Sequence, residues 1–127
     1  MSPFKKRMTP LLIGVLAFLS VNATAQEKTA AAPQTLKGEV VDLSCYMDHG
    51  AHGDGHKKCA ESCIKKGLPA GLLTADGQLY LLVENHSEAK SYAKLSDYAA
   101  DNVAVTGTVF DKNGMKAISV NDVKPSK

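Results

Sequence analysis

The chain has 127 residues, with 15 Lys+Arg against 13 Asp+Glu, four His, three Cys and no Trp, for a formal net charge of +2. Three of the basic residues (Lys5, Lys6 and Arg7) lie in the first 25 positions, so residues 26–127 carry 12 (15 − 3) against 13 acidic, a net −1. That balance excludes the basic surface which phosphate backbones demand, and nucleic acid as a partner with it. The length after residue 25 suits one compact domain with a modest core.

Residues 1–25 read as a secretory signal peptide. A basic start is followed by the apolar run Leu11–Val21 and then by Ala23-Thr24-Ala25, an A-x-A exit before Gln26. The run is shorter than the roughly 20 apolar residues that cross a bilayer. No cysteine follows it closely, so neither a retained anchor nor a lipid attachment is expected. The domain is predicted to be periplasmic or secreted. Residues 26–35 are small, polar and Pro-containing, and read as a flexible leader.

The predicted domain spans residues 36–124. LKGEVVDLS is a first strand that ends at the cysteine segment. HKKCAESCIKK, from His56 to Lys66, is a short helix with Gly67 as its C′ residue and Pro69 behind it. GLLTA and QLYLLVE flank Asp76-Gly77, a two-residue hairpin signal. In the second arm both faces are apolar, as in a closed barrel or under a helix. Ser87 is the expected N-cap of SEAKSYAKL. NVAVTGTVF and MKAISVNDV form a last hairpin about Asn113-Gly114, with Gly107 marking a bulge or bend. The prediction is therefore a mainly β protein. It is a small five-stranded OB-like barrel, with a Cys/His-rich helical insertion (residues 45–67) after strand 1 and one helix between strands 3 and 4. An open α+β sandwich of the same elements is the alternative.

The chemistry is concentrated in Cys45–Cys63, which holds all three cysteines, three of the four histidines and one of the four methionines. On the predicted helix His56, Cys59, Ala60, Cys63 and Ile64 share one face, while Lys58, Glu61 and Lys65 take the other. Cys45, expected at the end of the first strand, is the natural fourth member. Cys45, His56, Cys59 and Cys63 thus make a Cys₃His set suited to a transition metal, Zn²⁺ or Cu(I). Met47, His49 and His52 are second-choice ligands, Met47 only for Cu(I) because a thioether is soft. The Gly-rich loop from His49 to Gly55 is expected to fold back over the ion.

Two competing readings use the same residues. Cys45 can pair with Cys59 or Cys63 as a structural disulfide, leaving a spare thiol. That thiol can then attack a partner, which makes the protein a thiol–disulfide redox component. A third class is a plain binding module whose barrel face takes a peptide, glycan or lipid-like ligand. Lys57, Lys58, Lys65 and Lys66 favour thiolate where they lie close, although a solvated helix face explains them equally well. His86 reads as a surface residue, and Tyr80, Tyr92 and Tyr98 as packing too dispersed for a stacking platform. Asp42, Asp48 and Asp54 show no acid–base pairing. No G-x-S-x-G, H-E-x-x-H, P-loop, C-x-x-C or haem attachment motif is present, and no enzyme is expected.

GEVVDLSC, HKKCAESCIKKG, GLLTADGQLY and VAVTGTV together resemble a group of small exported bacterial domains that look OB-like. In that group a first-strand cysteine precedes an H-x-x-C-x-x-x-C segment, a hairpin and a V-x-V-x-G strand. The resemblance covers about residues 36–123, and the matching positions are Cys45, His56, Cys59 and Cys63. It implies export and the fold, with no established activity.

Overall fold

The computed structural model describes residues 31–127; the expected signal peptide and the first half of the leader lie outside them. It is mainly β, with five strands in one closed ring and three short helices. The strands are β1 (Gln34–Asp42), β2 (Ala70–Leu73), β3 (Leu79–Glu84), β4 (Asn102–Lys112) and β5 (Met115–Pro125). Helices α1 (Leu43–His49) and α2 (Lys57–Lys65) lie between β1 and β2, and α3 (Ala89–Ala93) follows β3.

Around the ring the order is β1-β2-β3-β5-β4, closed by β4 against β1. Every pairing is antiparallel except β3 with β5. Closure leaves no edge to attract another chain. The interior is aliphatic: Val40, Leu72, Leu82, Val103, Val105, Ile118 and Val120 are buried, and Leu95 closes one end. Tyr80, Tyr92 and Tyr98 pack half-buried against this core.

The inward pattern on β5 is Ile118, Val120, Val123, which breaks the two-residue period. The cause is a bulge. Thr106 pairs with Asp122 and Gly107 with Val120, so Asn121 is the extra residue and the inward parity shifts after it. A Cβ on Gly107 would come within 2.1 Å of the Ser119 carbonyl oxygen, so only glycine permits this approach. The bend expected at Gly107 is present, with the inserted residue on the opposite strand. Asn113 and Gly114 both have positive φ (54° and 81°), the two-residue type I′ hairpin that their sequence demands.

Four local expectations are corrected. The first strand starts at Gln34, inside the expected leader, and ends at Asp42, so Leu43 and Ser44 already belong to α1. The Asp76-Gly77 turn is a three-residue loop: Thr74 N–H donates to Gln78 O at 2.9 Å, and Gly77 takes the left-handed position (φ 82°). Ser87 does not cap α3, because its N–H is held by Asn85 Oδ1 at 3.1 Å. The helix therefore begins only at Ala89 and passes into a 3₁₀ turn over Lys94–Tyr98. The last strand runs to Pro125, two residues past its expected end at Val123.

Asp42 and Ala70 are partners in the β1–β2 ladder, and Leu43 N–H donates to Pro69 O at 2.9 Å. The whole insertion, residues 43–69, therefore leaves and re-enters the ring at one point.

Candidate functional site

The insertion turns as soon as the strand ends because Asp42 is an N-cap. Its backbone stays extended (φ −72°, ψ 113°) while Oδ1 accepts from Ser44 N–H at 3.0 Å. One turn later Gly50, at φ 68°, ends α1 by donating to the Cys45 and Tyr46 carbonyls. Cys45 therefore sits in the first turn of a helix rather than at the strand end expected for it, directly beyond Asp42.

Helix α2 matches its expected span within a residue. A 3₁₀ turn over Asp54–His56 leads into it, and it ends in a Schellman motif. Gly67 (φ 92°) donates to Ile64 O at 2.9 Å and Leu68 to Cys63 O at 3.1 Å. Ala60 is buried and Ile64 packs against the core, which anchors one face and turns Cys59 and Cys63 toward α1.

The result is a convergence of five donor groups in two overlapping triads. The sulfurs of Cys45, Cys59 and Cys63 lie within 4.8 Å of one another, and so do donor atoms of Asp42, Cys45 and His56. Every member of the expected Cys₃His set is present, but His56 joins through Cys45 and Asp42 rather than through the other two thiols. All three cysteines are free thiols. Exposure falls steadily across the site. Cys59 is open to solvent, Cys45, Cys63 and His56 are half-buried, and Asp42 is fully buried.

Two donor atoms in this group have no partner. Asp42 Oδ2 and His56 Nε2 are both buried without a hydrogen bond; the Cys45 thiol lies near the carboxylate without satisfying it. A buried polar atom left unpaired costs about 1–3 kcal/mol, so a pair of them in one site calls for a bound group. Both atoms are good metal ligands.

The local electrostatics run opposite to the expectation from the lysines. The adjacent Asp42 carboxylate, then burial, then the charges of Asp42 and Cys59 push the Cys45 thiol up to about 12. Burial first and Asp42 second also raise Cys63. Two of the four lysines are paired elsewhere. Lys57 pairs with Asp101 at 2.5 Å and Lys65 pairs with Glu61. Both shifts favour the protonated thiol at Cys45 and Cys63, and a metal ion bound there would have to displace those protons.

The second-choice ligands are not drawn into the thiol group. Met47, 72% exposed, lines an apolar groove of about 500 Å³ with Leu43, Leu79, Leu81 and Met115. Two positions apart on α1, Met47 and Cys45 face different ways. His52 Nδ1 lies 3.2 Å from Glu39 Oε2, and Gly53 N–H donates to Glu39 Oε1. The Gly-rich loop is thus pinned to β1 instead of folded over an ion. His49 pairs with Asp48 at 3.1 Å and reaches the site only by an edge-on contact with the His56 ring, at 6.5 Å between centroids. His86 is a surface residue, its side chain 97% exposed.

Sequence reasoning missed two residues. Asp42 was seen as near the site but without a partner; its signal was its place before Leu43-Ser44-Cys45, where an N-cap turns the chain. Glu39, the tether of the loop, carried no signal that set it apart from Lys37 and Asp42, the other charged residues of its strand. No known protein family, curated protein or solved structure matches the chain.

Proposed function

We propose that this protein is an exported, OB-like domain that binds zinc at Cys45, Cys59, Cys63, His56 and Asp42, and that the metal fastens the insertion to the barrel. The observation that carries the reading is the convergence of three thiols with two buried, unpaired donor atoms, Asp42 Oδ2 and His56 Nε2. Thiolate, imidazole and carboxylate together form a donor set for zinc. Cu(I) is less well served, because a carboxylate is hard and Met47, the one thioether near in sequence, lies in the groove. Burial and Asp42 raise the pKa of Cys63, one of the two thiols that the redox reading leaves free to attack, and so weaken it as a nucleophile.

The OB-like reading is supported by the 1-2-3-5-4 ring with its single parallel closure and by the helical segment between β3 and β4. In such a barrel the β1–β2 connection borders the ligand side, and here that connection is the metal-binding insertion. Export rests on the N-terminal pattern of residues 1–25. No helix among the described residues is long and apolar enough to cross a membrane. The partners on this reading are the metal ion and, through the exposed Cys59, a periplasmic protein able to exchange it.

Native mass spectrometry of protein taken from the exporting cell tests the assignment. Bound zinc, lost when Cys45, Cys59 and Cys63 are all changed to Ser, is the expected result. Retention of the metal by that triple variant, or a metal-free mass two hydrogens lighter from a disulfide, overturns it.

A further inference from the structure

Resting on the zinc reading above, we infer that the site takes two divalent ions, which share the sulfur of Cys45. The donors form two triads with that sulfur as their common member, an outer one of Cys45, Cys59 and Cys63 and an inner one of Asp42, Cys45 and His56. Both unpaired buried atoms, Asp42 Oδ2 and His56 Nε2, sit on residues of the inner triad. An ion held by the three thiols leaves those atoms as they are, so the outer ion alone does not account for them.

Charge gives the same answer. Three thiolates and the Asp42 carboxylate make four negative charges, as many as the positive charges two divalent ions bring. The excess left by a single ion would rest in part on a fully buried carboxylate, which is costly without a partner. The nearby lysines do not supply that partner: Lys57 is paired with Asp101 and Lys65 with Glu61. A thiolate sulfur has lone pairs to spare for a second ion, and paired metals in proteins sit about 3.5–4 Å apart. Solvent or an incoming donor fills the remaining positions, most readily beside the exposed Cys59.

The test is a titration of the reduced, metal-free chain with Cd²⁺ as a spectroscopic substitute for zinc, in the absence of oxygen. Ions are counted by native mass spectrometry and resolved by cadmium NMR. Two equivalents are expected, giving two resonances split by coupling through the shared sulfur. His56→Ala and Asp42→Asn should each retain only the outer ion, and Cys59→Ser only the inner one. Asparagine preserves the N-cap of α1, which guards that variant against misfolding. Saturation of the unaltered chain at one ion, or loss of every ion in each single variant, overturns the two-ion site. A single ion leaves the zinc reading standing, whereas failure to bind any ion sinks both.

Discussion

The ring of strands and the insertion between β1 and β2 are held together by different physics. The ring buries a continuous set of aliphatic side chains, from Val40 and Leu72 to Ile118 and Val120. In the insertion α1 buries no residue and α2 only Ala60. What fixes the insertion is polar: the Leu43–Pro69 backbone bond, the hold of Glu39 on His52 and Gly53, the Lys57–Asp101 pair and the proposed metal. Such short helices are marginal in water on their own. On the zinc reading a region of this kind depends on its ligand, whereas the ring does not.

The largest effect that separates the two belongs to the ring. Leu82→Ala should lower global stability by about 2–5 kcal/mol, read as a shift in denaturation midpoint, with metal stoichiometry unchanged. If metal binding fails first, the two regions are not independent. Metal removal should act the other way round. Chelation is expected to raise amide exchange across residues 43–66 by about tenfold or more while β4 and β5 keep their protection. Equal deprotection of the strands would erase the distinction.

The smallest effect concerns the metal-free thiols. Asp42 first, then burial, raise the Cys45 pKa to about 12, so removing the Asp42 charge should lower that value and enlarge the thiolate fraction at a fixed pH. Asp42→Asn should accordingly speed alkylation of Cys45 by iodoacetamide at pH 8 about threefold or more, measured by peptide mass mapping. An unchanged rate would mean that burial, not the carboxylate, governs this thiol.

The same division decides what the sequence could reveal. Alternation in NVAVTGTVF, the Asn113-Gly114 turn and Gly67 behind α2 are local signals, and each is found where local physics puts it. Clustering alone brought Cys45, Cys59, Cys63 and His56 forward as candidates. Helix α1 was hidden because LSCYMDH is too short to display a period and has no buried face. The role of Asp42 was hidden for a deeper reason: its burial and its unpaired oxygen exist only once α2 has folded back over the end of β1. Ser87 misled because Asn85, two residues earlier, competes for its backbone.

The shared point of departure and return at Asp42 and Ala70 makes the cysteine module portable. Its two ends are neighbouring rungs, so a short reverse turn can replace everything between them without shifting any other strand. By the same token, the stretch from Asp42 to Pro69 can be spliced into the hairpin of an unrelated scaffold, bringing all five candidate ligands with it.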